Sequence, residues 1–94
     1  MRVRWLRSAV RDLHDICEYI ADDNPSAAVR IGARIESSVA LLAEHPLAGR
    51  SGRVPGTREV VIAGTRYLVA YRVTAKSVDI LAVLHGARRW PDHF

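Results

Sequence analysis

The sequence predicts an α+β fold: an N-terminal strand and a two-helix antiparallel hairpin packed on a small antiparallel sheet, in a single domain over residues 1–94. Three observations predict it. Apolar residues recur at three-to-four spacing from Ala9 to Leu42, the spacing of one face of an α-helix. That pattern is interrupted once, at Asn24-Pro25. Three strand-like runs, punctuated by turn residues, then fill Arg58 to His85.

Arg2 to Trp5 is the first strand, with Val3 and Trp5 alternating against arginines. Ser8 is placed to cap a first helix, whose apolar face is Ala9, Leu13, Ile16, Cys17 and Ile20. Arg11, Asp12, Asp15 and Glu18 fall off that face. Asp22-Asp23-Asn24-Pro25 ends the helix; Asn24 can cap a second one, and Pro25 suits its first position, where no amide donor is needed. The second helix carries Ala28, Ile31, Ile35, Val39 and Leu42 on one face and breaks at His45-Pro46. So short a break between amphipathic helices makes them an antiparallel hairpin.

Leu47 to Gly56, with three glycines, Pro55, Arg50 and Arg53, reads as a loop. Strands are expected at Arg58–Ile62, Arg66–Val73 and Ser77–His85, with turns at Gly64 and at Ala75-Lys76. In the middle strand Tyr67, Val69, Tyr71 and Val73 point one way, and Leu68, Ala70 and Arg72 the other. The last strand is apolar on both faces at Ile80-Leu81-Ala82-Val83-Leu84, which places it centrally, beneath the helices.

Composition narrows the function classes. An apolar fraction of 49% supplies a core and argues against disorder. The lone cysteine, Cys17, excludes an intramolecular disulfide and reads as a buried thiol on the first helix. The N-terminal residues lack the apolar stretch of a signal peptide, and no apolar run is long enough to span a bilayer, so no membrane role and a cytoplasmic location are expected. Net charge is +4, unevenly spread. Residues 1–48 hold six arginines against seven acids; residues 49–94 hold seven arginines and Lys76 against Glu59, Asp79 and Asp92. The C-terminal half is thus the candidate surface for an anionic partner.

No nucleotide-binding loop, paired metal ligands or Ser-His-Asp spacing is present. The histidines, at 14, 45, 85 and 93, are not spaced i, i+4 from one another, so no metal and no cofactor are expected. Arg72 can pair across strands with Asp79, and Arg58 with Glu59. What remains is an arginine surface with His85 near its edge.

Several pieces in order resemble one family. They are the N-terminal strand ending at Trp5, Ala9-Val10-Arg11-Asp12-Leu13, Tyr19-Ile20-Ala21, Asn24-Pro25 and His45-Pro46-Leu47-Ala48-Gly49-Arg50. They continue with Gly56-Thr57-Arg58-Glu59, Tyr67-x-Val69-x-Tyr71-Arg72-Val73 and Val83-x-His85-Gly86-x-Arg88. Together they cover nearly the whole chain and resemble the RelE/ParE toxins of bacterial type II toxin–antitoxin systems. The resemblance implies a growth-arresting toxin, neutralised by a cognate antitoxin whose acidic, apolar-punctuated segment covers the helical hairpin and part of the sheet.

The family divides by target. RelE-like members cleave messenger RNA on the ribosome, which requires a base for the 2′-hydroxyl, cations for the phosphate and an acid for the leaving oxygen. Where that branch has Tyr-Arg-Leu-Val-Tyr, this chain has Tyr67-Leu68-Val69-Ala70-Tyr71, so Leu68 takes the place of the phosphate-contacting arginine. Arg66, two residues earlier on the same face, can substitute. Residues 46–56 contain no lysine or glutamate to act as base, which leaves Glu44 and Glu59 as distant options and His85 as an acid or base. The nuclease candidates are therefore Arg66, His85 and Glu59. ParE-like members bind DNA gyrase, which needs a basic, partly apolar docking surface and no proton transfer. Candidates for that surface are Arg58, Arg66, Arg72, Arg88, Arg89 and Trp90, arginine and tryptophan being enriched at the energetic centres of interfaces. Gyrase is the favoured target, with the ribosome and its message the alternative.

Overall fold

The computed structural model describes residues 1–87, 90, 91, 93 and 94. The chain runs β1 (Arg2–Trp5), α1 (Arg7–Asp23), α2 (Pro25–Leu41), β2 (Arg50–Ser51), β3 (Arg58–Val61), β4 (Tyr67–Val73) and β5 (Ser77–His85). The strands form one five-stranded sheet in the order β1-β5-β4-β3-β2. The expected α+β architecture is present, but the sheet is mixed: β1 joins β5 in parallel, and the other pairings are antiparallel. Parallel neighbours need a long connection, and here the helical hairpin and three strands supply it.

The two helices meet at one residue. Asn24 ends α1 by donating its backbone N–H to the Ile20 carbonyl at 2.8 Å, and starts α2 by accepting the Ala27 N–H on its side chain at 3.1 Å. Pro25 occupies the first turn of α2, as its missing donor dictates. Ser8, expected to cap α1, does not. The N-cap is Leu6, and the Ser8 hydroxyl donates instead to the Leu81 carbonyl at 2.9 Å. Cys17 is half-buried at the helix–helix contact opposite Gly32, and burial pushes its thiol pKa up. Regular α2 ends at Leu41, a turn earlier than His45-Pro46.

The core lies between the hairpin and one face of the sheet. Ala9, Ile35, Val39 and Leu42 meet Ile62, Val69, Tyr71, Val78, Ile80 and Val83, with Val3, Trp5, Tyr67 and Val73 at its margin. Each fully buried aliphatic side chain of this kind stabilises the fold by about 1.5–3 kcal/mol. The opposite, outer face is also closed over its middle: Leu68, Ala70, Leu81 and Ala82 are all buried. No helix among the described residues is long and apolar enough to cross a membrane.

Strand β5 is central only over Ser77–Ile80, where β1 flanks it. Past that point its register with β4 slips, from Ala70 opposite Ala82 to Tyr71 opposite Ile80, so Leu81 bulges. The edge that β1 leaves open is met by the start of α1. Leu6 N–H reaches the Ile80 carbonyl at 3.0 Å, Ser8 takes the Leu81 carbonyl, and the Asp12 carboxylate accepts Val83 N–H at 3.0 Å. Asp79 pins β1 to β5 from the outer face. It receives Arg4 Nε at 3.1 Å and Nη2 at 2.9 Å, and Ser77 Oγ at 2.8 Å.

The segment expected as a loop holds the extra strand β2. Its anchor is the buried Tyr71 phenol, which donates to the Pro46 carbonyl and accepts Gly49 N–H, both at 2.8 Å. A side chain at Gly49 would place its first carbon 2.6 Å from the Glu59 carbonyl oxygen and from the Tyr71 hydroxyl. Gly64 turns β3 into β4 at φ +76°, where the Arg34 guanidinium of α2 reaches the adjacent Ala63 carbonyl at 3.0 Å.

Tyr71→Phe is expected to destabilise by about 1–3 kcal/mol, since it strands a buried amide and carbonyl. Gly49→Ala is expected to cost about 1–3 kcal/mol by overpacking. Urea unfolding of both variants checks this, and parental stability in either would show that the phenol is not an anchor. Acid titration separates the two aspartates. Hydrogen bonds from Ser77 and Arg4 hold the Asp79 carboxyl below its ordinary range, so its contribution is full above the unfolded-state pKa and is lost as pH falls through the folded-state value. Asp79→Asn should therefore be less stable than the parent at pH 7, with the gap closing in acid. Burial pushes Asp12 up, against the pull of Val83 N–H, so its ionisation costs stability as pH rises above the ordinary carboxylate range. Asp12→Asn keeps an acceptor for Val83 and should match or exceed the parent at pH 7, a ranking that thermal melts at pH 7, 5 and 3 would test.

Candidate functional site

A cleft of about 580 Å³ opens where the C-terminal end of β5 faces α1. Antiparallel register sets Tyr67 directly opposite His85, and their rings meet edge to face at 5.5 Å. Arg66, just before β4, is exposed at the same mouth, and its carbonyl accepts Gly86 N–H at 2.8 Å. From α1, Asp12, Asp15, Ile16 and Tyr19 form the facing wall, Asp12 and Tyr19 being two helical turns apart. Two of the sequence-derived candidates, Arg66 and His85, are thus brought together.

The chemistry available there is mixed. His85 Nδ1 accepts the Ala87 N–H at 3.1 Å, which leaves Nε2 to carry the proton of the neutral ring. Asp12 is half-buried and tied to Val83. Asp15 is exposed and pushes the Asp12 pKa further up. One guanidinium therefore faces two carboxylates, an imidazole and two phenols. Such a wall suits recognition of a polar or partly cationic surface better than the neutralisation of a phosphate.

Glu59, the third nuclease candidate, does not line the cleft. It is 2% exposed, with one oxygen 3.3 Å from Arg50 Nη2 and the other accepting the Arg53 backbone N–H at 2.7 Å. The expected Arg58–Glu59 pair is also absent. Neighbours on a strand face opposite ways, and Arg58 Nη1 instead donates to the Gly49 carbonyl at 2.8 Å. Leu68, in the arginine's place, is buried in the outer face, where it cannot meet a ligand in the cleft. Arg72 lies opposite Asp79 in register, as expected, but the ion pair of Asp79 is with Arg4 at 2.9 Å. Trp90 is half-buried beneath the Arg53 guanidinium, 3.9 Å from its ring centroid, and its indole N–H is buried without a hydrogen-bond partner among the described residues. Arg88 and Arg89 lie outside the described residues.

Sequence reasoning missed Asp12, Asp15 and Tyr19 as wall residues. Their spacing along one side of α1 carried the signal, but it reads equally as a solvated helix face. Also on α1, His14, Asp15 and Glu18 bring ligand atoms within 4.8 Å of one another, all exposed to solvent.

Comparison with known proteins agrees with this architecture. The family model for the ParE toxin of the type II toxin–antitoxin system parDE matches residues 3–90. A candidate toxin of Sinorhizobium fredii, Y4kP, is 46% identical over 96% of this chain and 93% of its own. Toxin RelE1 of Caulobacter vibrioides is 34% identical over 83% of this chain and 85% of its own. Among solved structures, a chain of the chromosomal ParDE toxin–antitoxin system from P. aeruginosa superimposes with a TM-score of 0.81 at 28% identity, covering 88% of this chain and 92% of that one. A chain of the toxin–antitoxin complex RelBE2 from Mycobacterium tuberculosis gives 0.59 at 27% identity, covering 89% and 95%. Matched over almost its full length by the family model and by relatives in both branches, this chain belongs to the ParE/RelE family of type II toxins.

Proposed function

We propose that this toxin arrests growth by binding DNA gyrase, in the ParE manner, and that a cognate antitoxin holds it inactive. The observation that carries the target assignment is the charge of the cleft. Arg66 and His85 share it with the Asp12 and Asp15 carboxylates. Cleaving RNA demands preorganised cations around a pentavalent phosphate. Two carboxylates facing a single guanidinium oppose that charge rather than stabilise it. A docking function makes no such demand.

The antitoxin partner is supported by the helical hairpin itself. Val10, Tyr19, Val29 and Leu41 are all more than half exposed on its helices, an apolar display fit for a covering segment. Both solved relatives come from toxin–antitoxin assemblies.

Ribosome-dependent RNA cleavage is the second reading, favoured by the meeting of Arg66, Tyr67 and His85 in one cleft and by relatives named RelE. Induction of the chain without antitoxin, followed by pulse labelling, separates the two. Failure of DNA synthesis first, with filamentous cells, is the expected outcome; collapse of protein synthesis within minutes would overturn it. His85→Ala should leave growth arrest within about threefold of the parent. A loss of a hundredfold or more, the scale of a missing acid–base or charge-stabilising group, would point to cleavage instead.

A further inference from the structure

Beyond the cleft, the outer face of the sheet divides in two. Its middle is apolar and buried, whereas the end formed by β1, the start of β5 and the end of β4 carries a cationic cluster. Val3 and Trp5 pack against the core, so Arg2 and Arg4 project from the other side. Register places Arg4, Asp79 and Arg72 in one row across three strands, and Arg2 opposite Ser77 in the next. Lys76 is exposed in the adjoining turn. Four cations therefore surround one carboxylate.

That carboxylate orders the row. Asp79 holds Arg4 through Nε and Nη2, leaving Nη1 uncommitted on a side chain that is 54% exposed. Arg72 makes no hydrogen bond or ion pair among the described residues. Residues two apart on a strand are roughly 7 Å apart, and Arg4 and Arg72, two strands apart, are separated by roughly 10 Å at the backbone. The remaining groups at this end are hydroxyls, Ser77 and Thr74. Arg72 also lines a second cleft, of about 480 Å³, with Leu81, Leu84 and Phe94, and Arg2, Arg4 and Lys76 stand outside that lining. Arginine, lysine and hydroxyl groups, the set present at this end of the sheet, are those that contact nucleic-acid backbones.

We propose that this end of the sheet, through Arg2, Arg4, Arg72 and Lys76, binds the phosphate backbone of duplex DNA. The proposal builds on the gyrase reading: a protein whose target already grips DNA would gain a second, sequence-independent hold at the same place. Contacts of this kind position without reading bases, so the binding is non-specific and strongly salt-dependent.

The test needs only the purified chain and a labelled 20-base-pair duplex, followed by fluorescence anisotropy from low to physiological salt. Three or four neutralised phosphates predict a slope of log K against log salt of about −3. Arg2→Gln/Arg72→Gln/Lys76→Gln should weaken binding at least tenfold at low salt and flatten the slope by about 2. Arg7→Gln/Arg11→Gln/Arg30→Gln removes the same charge from the helices and should weaken it less than threefold. Arg4→Gln strands Asp79, so it is paired with Asp79→Asn, and melting curves confirm that each variant is folded. The proposal is overturned if the parent fails to bind at low salt, or if the two triple variants lose affinity equally. It also falls if poly-glutamate of matched charge binds as tightly, which would make the patch a site for acidic protein, or if single-stranded RNA is preferred. Because gyrase is absent from this assay, a failed gyrase reading leaves a positive result standing, and a negative result leaves gyrase inhibition to be judged separately.

Discussion

A buried phenol organises the chain that leaves α2 and pairs with β3. Tyr71 sits at zero exposure in the middle of β4, and a buried hydroxyl must find partners. It finds them in the chain leaving α2, at the Pro46 carbonyl and the Gly49 amide. With that chain pinned, Arg50 and Ser51 pair with β3, opposite Glu59 and Arg58. Arg50 then reaches Glu59, and the Arg53 amide takes the other carboxylate oxygen. A buried charge left without such partners would be strongly destabilising. Arg53, held in this way by its backbone, lays its guanidinium on Trp90. One side-chain constraint thus propagates from the core to the C-terminal tail.

The elements that were legible in the sequence are those whose signals are local. The helical periodicity, the Asn24-Pro25 junction and the alternation of β4 are all readable within a window of a few residues, and the structure places each as expected. The misses involve partners far away in the chain. Ser8 looks like a cap, yet the Leu81 carbonyl, left open by the end of β1, competes for its hydroxyl and wins. The two-residue strand β2 has no pattern of its own and exists because Tyr71 presents Gly49 to β3. The parallel entry of β1 and the bulge at Leu81 likewise depend on how the hairpin crosses the sheet, which no window of residues contains.

The candidate cleft was half legible. Family resemblance singled out Arg66 and His85, and antiparallel register is what unites them. The acids of the facing wall were hidden because a helix side that lines a shallow cleft has the same composition as one that faces water. Asp12 shows why the distinction matters. It satisfies the Val83 amide at an open strand edge, and it also places negative charge where an RNA-cleaving site would need positive. A structural duty at the sheet edge and a constraint on chemistry in the cleft fall on one side chain.

Among the described residues, the surplus of cations in the C-terminal half does not form one surface of that half. Arg50 is committed to Glu59, Arg53 to the ring of Trp90, and Arg58 to the Gly49 carbonyl. Of the arginines in residues 49–87, Arg66 and Arg72 remain for a partner, and the fold separates them, one at the cleft and one on the outer face. Arg72 is instead joined by Arg2 and Arg4, from the half whose net charge is negative, because β1 returns to pair with β5. Charge counted along the chain therefore does not by itself find this row of cations, which the parallel pairing of β1 with β5 assembles.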